Sequence, residues 1–161
     1  MSKSLKQYRP NAAVVVFNER GKVLIGHRRG EVGNHCWQFP QGGIDAGEAP
    51  LQAAYRELFE ETGIRSKHVE KIGKIKGWLT YDFPEDVSFA PNKRKHWHGQ
   101  KQKWFAMRFL GRDKHIRLDR HHPPEFDQWA WANLDEVPQM TIYWKRDVYL
   151  KVIEEFSRFA Q

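Results

Sequence analysis

The sequence predicts a single α/β domain built around a mixed β-sheet. Three observations carry that expectation. The chain has 161 residues, the size of one domain with one core. Strand-like and helix-like segments intermingle without the strict alternation of an all-parallel sheet. No repeat, low-complexity tract or linker divides the chain, so residues 1–161 read as one domain. Hydrophobic residues at 40% and aromatics at 14% supply a core and exclude a disordered chain.

Each element follows from local pattern. Ala12 to Phe17 is continuously apolar and mostly β-branched, as in a buried strand. Asn18 to Gly21 is a turn, because Asn and Gly tolerate positive φ, and Lys22 to His27 is the returning strand. Arg29 to His35 carries Gly30, Gly33 and Asn34 and reads as a loop. Trp37 to Pro40 is a short extended piece, and Gln41 to Gly47 a glycine-rich turn. Pro50 to Thr62 is the clearest helix: proline suits a first turn and Gly63 the position past the end. Val69 to Leu79 is a strand interrupted by Gly73 and Gly77. Phe83 to Gly99 is long, polar and basic, a functional loop. Gln102 to Leu110 is a strand, His121 to Glu125 a second loop, and Phe126 to Ala132 a further strand. Trp144 to Phe159 spaces Val148, Val152, Phe156 and Phe159 as a closing helix.

Twenty-seven Lys and Arg against twenty Asp and Glu leave a formal charge of +7. Such an excess suits a polyanionic partner, although solubility alone is the plainer reading of charge. Cys36 is the single cysteine, so no internal disulfide forms, which fits a reducing, cytoplasmic setting. A lone thiol beside His35 is more often incidental than nucleophilic. The first ten residues lack the apolar run of a signal peptide, and no early apolar stretch approaches the ~20 residues of a membrane span. No membrane association and no obligate protein partner are expected.

The Pro50–Thr62 helix breaks local rules. On a helical wheel Leu51, Ala54, Tyr55, Leu58 and Thr62 fall on one side, and Glu57, Glu60 and Glu61 on the other. A solvated acidic face is the ordinary explanation. Yet Glu57 and Glu61 repel at i, i+4, and Glu60 and Glu61 stand in the last turn, where the helix dipole is already negative. Arg56 can pair with Glu60 and relieve part of this. A hard divalent cation would reverse both penalties, and carboxylates with open water positions suit Mg²⁺ or Mn²⁺. Zinc fits poorly: His96/His98 and His121/His122 have no cysteine partners and form no HExxH pattern.

At this point the chain resembles a known family. Gly42-x5-Glu48-x7-Arg56-Glu57-Leu58-x-Glu60-Glu61-x-Gly63-Ile64 fills every defining position of the Nudix box, here residues 42–64. Beyond the box, Tyr8–Asn11, Trp37–Gly43, Gly99–Phe105, Pro124–Asp127 and Lys145–Tyr149 resemble the bacterial RNA pyrophosphohydrolases and the similar dinucleoside polyphosphate hydrolases. Likeness is weakest over Gly30–His35 and Pro84–His98.

The resemblance implies an α/β/α sandwich around the mixed sheet. It also implies hydrolysis of phosphoric anhydrides with Mg²⁺ or Mn²⁺, more than one ion acting during catalysis. Glu57, Glu60 and Glu61 would hold metal, joined by Glu125 as a further ligand or general base and by a backbone carbonyl near Gly42. Arg56 would orient the glutamates, and Glu48 would support the loop. Arg9, Arg28, Tyr81, Lys103 and Lys145 would meet the substrate, with Trp144 and Ile142 as weaker candidates for stacking on a base. The segment Asn92–His98 mixes cations with aromatics, a pattern suited to phosphate attraction and stacking, or simply to a solvated loop.

The leading expectation is an enzyme that converts the 5′-triphosphate end of RNA to a 5′-monophosphate, releasing pyrophosphate or phosphate stepwise and promoting messenger RNA decay. An asymmetrical dinucleoside tetraphosphate hydrolase needs the same metal site. A catalytically silent nucleotide- or RNA-binding module is the remaining alternative, and the self-repelling glutamates argue against it.

Overall fold

A computed structural model describes residues 4–84 and 97–161. Lys93, Arg94, Lys95 and His96 of the basic segment lie outside the described residues.

The sheet is organised on β1 (Tyr8–Phe17). It pairs in parallel with β7 (Gly99–Phe109) along its whole length, Tyr8 facing Gly99 and Phe17 facing Arg108. The other pairings are antiparallel, so the sheet is mixed. β2 (Val23–Arg28) returns from the first turn with Val23 facing Phe17, then diverges from β1. One segment bridges the gap: β3 (Trp37–Gln38) pairs with β2, and β4 (Gln41–Gly43) pairs with β1. Between them Pro40 accepts the Val14 N–H through its carbonyl. β5 (Val69–Lys74) and β6 (Leu79–Asp82) share the outer edge of β7, and β8 (Phe126–Ala132) covers the outer edge of β2.

Strand periodicity sends alternate β1 residues to opposite faces, and each face has its own core. Ala12, Val14 and Val16, with Phe105 and Met107, pack under helix α1 (Pro50–Thr62) through Ala53, Ala54 and Leu58. Ala13, Val15 and Phe17, with Trp104 and Ala106, pack under helix α2 (Arg146–Phe156) through Val148, Tyr149, Val152 and Phe156. At about 1.5–3 kcal/mol for each large apolar side chain buried, these two layers hold the helices against the sheet. The result is the expected α/β/α sandwich.

Three readings change. The strand foreseen over Val69–Leu79 is two strands, because Gly77 adopts φ +83 in the turn between β5 and β6. The turn foreseen over Gln41–Gly47 begins as β4, since β1 starts at Tyr8 rather than Ala12 and offers an edge to pair. The closing helix is shorter, with 3₁₀ turns at Tyr143–Lys145 and Ser157–Ala160 on either side. The wheel also misplaces Glu61. It follows Ala54 by two turns, shares its inward face, and is 5% exposed.

Candidate active site

Arg56 organises the loop that leads into α1. Its Nε and Nη2 donate to Glu48 Oε2 and Oε1 at 2.8 and 2.9 Å, a two-pronged pair. Nη2 also donates to the Gly43 carbonyl at 2.8 Å, and Nη1 to Glu57 Oε1 at 2.8 Å. The Glu60 contact expected from helix spacing is longer, at 3.5 Å, and Asp45 Oδ2 stands 3.6 Å from Nη2. Glu48 accepts the Asp45 N–H as well, at 3.0 Å. These bonds, the Arg56 pair first, hold the Glu48 carboxyl down at about 2. The guanidinium is raised above its ordinary range, chiefly by Glu48. At its other end α1 stops at Gly63, whose φ of +74 is left-handed and whose N–H bonds Phe59 O.

Glu57, Glu60, Glu61, Glu125 and His121 line one small cleft of about 80 Å³. Two larger hollows, of about 470 and 400 Å³, contain none of these residues. Glu61 reaches over the β3–β4 crossing and accepts the Gln41 N–H at 2.8 Å. Gly42 stands beneath Glu57: a Cβ there would fall 2.0–2.3 Å from the carboxyl atoms. Burial pushes the Glu57 carboxyl up to about 7, against Arg56, with Glu60 and Glu125 adding repulsion. Burial likewise raises Glu61 well above the carboxylate range, and Glu125 and Glu57 raise it further. Four acids therefore share a cleft, and the Arg56 guanidinium that bonds Glu57 there is already divided among Glu48, Glu57 and Gly43.

A divalent cation fits this donor set, being hard, oxygen-seeking and able to relieve the repulsion. Among the described residues no group of three or more His, Cys, Asp or Glu side chains is already arranged to hold a metal ion. Arg56 draws Glu57 to one side, and Gln41 fixes Glu61.

The expected substrate residues divide between the faces. Arg9, Tyr81 and Lys145 belong to the α2 side. Arg9 is opposite Gln100, and its Nη2 would lie 2.6 Å from a Cβ on Gly43. Tyr81 donates to Gln100 Oε1 at 2.7 Å. Lys145 is buried, donates to Gln38 Oε1 at 3.0 Å, and has its Nζ 6.0 Å from the Tyr81 ring centroid. Arg28 ends β2 half-buried, with its N–H on Cys36 O. Trp144 and Ile142 are half-buried; Trp144 meets the exposed Tyr143 edge-on at 5.2 Å and packs against the α2-side core.

Lys103 faces the other way. It pairs with Ala12 on the α1 side, where its Nζ sits 4.7 Å from the Trp78 ring centroid, beside Lys101 at 4.8 Å. The next residue back, Gln102, faces the α2 side instead and donates to Asn11 Oδ1 at 2.9 Å and Gln41 Oε1 at 2.6 Å. Sequence reasoning missed this buried polar set of Asn11, Gln38, Gln100 and Gln102. A signal was present in the alternation of glutamines at 100 and 102 with lysines at 101 and 103. Cys36 is buried, and His35 Nδ1 bonds Gln139 O rather than the thiol.

A family model described as NUDIX domain matches residues 7–152. The chain belongs to the NUDIX family. Membership brings the enzyme class, hydrolysis of phosphoric anhydrides, and a general need for divalent metal ions. The chain is 47% identical over 155 residues to an RNA pyrophosphohydrolase of Caulobacter vibrioides, covering 96% of this chain and 89% of that protein. It is 46% identical over 157 residues to one of Acidiphilium cryptum, covering 96% and 93%. The Nudix fold is shared with a C. elegans Ap4A hydrolase in a binary complex (TM-score 0.66, 21% identity, 93% of this chain and 98% of that one). It is shared equally with the E. coli dihydroneopterin triphosphate pyrophosphohydrolase (TM-score 0.68, 19% identity, 92% and 98%). Among the described residues no helix is long and apolar enough to cross a membrane.

Proposed function

We propose that this Nudix chain, acting as a single domain in the cytoplasm, hydrolyses the 5′-triphosphate end of RNA to a 5′-monophosphate. Pyrophosphate leaves, or phosphate leaves stepwise, and the new end opens the message to decay. One observation carries the reading. The three box glutamates and Glu125 face one cleft in a chain nearly half identical, over 96% of its length, to RNA pyrophosphohydrolases.

Glu57, Glu60, Glu61 and Glu125, with the Gly42 carbonyl, would hold Mg²⁺ or Mn²⁺, more than one ion in the working enzyme. Bound there, such ions would neutralise phosphate charge and lower the pKa of water. The protein does the rest. Arg56 holds Glu57 in place at 2.8 Å while Glu48 anchors Arg56 to the loop. Gln41 fixes Glu61 through its backbone N–H. A cleft glutamate takes the proton from the attacking water. On the α2 side Arg9, Tyr81, Lys145 and Trp144, with Arg28 at the end of β2, receive the 5′-terminal nucleotides and their phosphates. Lys103, turned to the α1 side, serves the downstream chain.

The test is product analysis. RNA carrying a labelled 5′-triphosphate, incubated with protein and Mg²⁺, should yield a 5′-monophosphate end, and Glu57→Gln protein should yield none. An untouched triphosphate end would reject the reading.

A further inference from the structure

Glu125 lies on an exposed loop, yet it lines one cleft with the half-buried Glu57 and Glu60 and the buried Glu61 of α1. Something must aim that loop. The β2–β8 ladder shows what does. The register slips after His27: His27 faces Gln128, but Arg28 faces Phe126, which leaves Asp127 as an extra residue. A bulge of this kind bends its strand and redirects the side chains beside it.

Polar groups lock the bend. Asp127 Oδ1 accepts from His27 Nδ1 at 2.7 Å, and Oδ2 accepts the Gly30 N–H at 3.2 Å. Arg29 grips the loop twice, on the two carbonyls that bracket Glu125. Its backbone N–H donates to Glu125 O at 3.0 Å, and its Nε donates to Pro124 O at 2.7 Å. Two carbonyls and one carboxylate, all within residues 124–127, are thus fixed by residues 27–30.

We infer that Arg29 and Asp127 are positioning residues that aim Glu125 into the carboxylate cleft. The inference rests on the proposed part of Glu125 in hydrolysis. Neither residue touches the reacting atoms: Arg29 holds backbone carbonyls, and Asp127 holds His27 and Gly30. Arg29 also stands next to Arg28, so the strand end offered to substrate and the loop that carries Glu125 are one hydrogen-bonded unit.

A double-mutant cycle on the full chain tests this, using triphosphorylated RNA or diadenosine tetraphosphate, whichever the protein cleaves. Glu125→Gln should lower kcat about a hundredfold. Arg29→Ala should lower kcat roughly tenfold with KM within about twofold, the loss expected from one charge-assisted hydrogen bond. In the Glu125→Gln background, Arg29→Ala should cost nothing more, because it acts through Glu125. Asp127→Ala should follow the same pattern, and carries the test if Arg29→Ala fails to fold. Losses that multiply in the double variant would overturn the inference, as would unchanged kcat in both single variants. A fully active Glu125→Gln protein would overturn the role of Glu125 itself and the inference with it.

Discussion

Gly42→Ala separates activity from stability. The added Cβ would sit 2.0 Å from the Glu57 carboxyl carbon and 2.2–2.3 Å from its oxygens. Ordinary contact needs about 1.5–2 Å more, and Glu57 can yield by rotating its own side chain. The Gly42 backbone is not left-handed, so alanine adds no conformational strain there. Stability should therefore fall by only about 1 kcal/mol, a few degrees in Tm. Catalysis should suffer far more, since a displacement of ~1 Å in a reacting group can cost about a hundredfold. The assay is kcat/KM with Mg²⁺ beside a thermal melt of the same preparation. Activity within threefold of the parent would refute the placement of Glu57 over Gly42. A collapse of Tm would show that strand β4, rather than the carboxylate, gives way.

Other perturbations follow from the same site. Glu57 has a raised pKa, so without metal its charge destabilises the folded state as pH rises from about 4.5 to about 7. Glu57→Gln should then raise the metal-free Tm near pH 8 by about 5 °C, and Mn²⁺ should stabilise the variant less than the parent, both read by thermal melts. Glu48 is the opposite case. Its lowered pKa contributes stability above pH 4.5 that is lost as pH falls toward about 2, so Glu48→Gln should cost about 1–2 kcal/mol at pH 7 and little at pH 2 in urea unfolding. Lys145→Met should raise KM about tenfold in steady-state assays while Lys103→Ala leaves dinucleotide hydrolysis unchanged, because the two lysines occupy opposite faces of the sheet. Replacing Lys93, Arg94 and Lys95 by Ala should weaken binding of RNA more than of a dinucleotide, with the gap narrowing at high salt in a titration.

The box was legible because its residues are close in sequence. Gly42, Glu48, Arg56 and the glutamates lie within a loop and one helix, so spacing alone brings them together. Glu125 was legible only through its neighbours Pro124 and Phe126, since nothing local says that this loop meets α1. Glu61 was misread: its charge placed it outside, while its two-turn spacing from Ala54 placed it inside, and the buried Gln41 N–H made the second outcome possible. Lys103 illustrates the limit of strand reading. The sequence sets it among cations and aromatics, and only pairing with Ala12 fixes that it takes the α1 face beside Trp78. The Arg29–Asp127 lock was beyond reach, because a bulge becomes visible only when two strands about 100 residues apart in sequence are paired, here His27 with Gln128.

As proposed, the glutamate cleft serves RNA ends in preference to dinucleotides. The most direct measurement compares kcat/KM for a short 5′-triphosphorylated RNA and for diadenosine tetraphosphate, with Mg²⁺ present and salt held constant. The RNA should be the better substrate by about tenfold or more, with the advantage shrinking as salt rises. A clear preference for the dinucleotide, unchanged by salt, would contradict it.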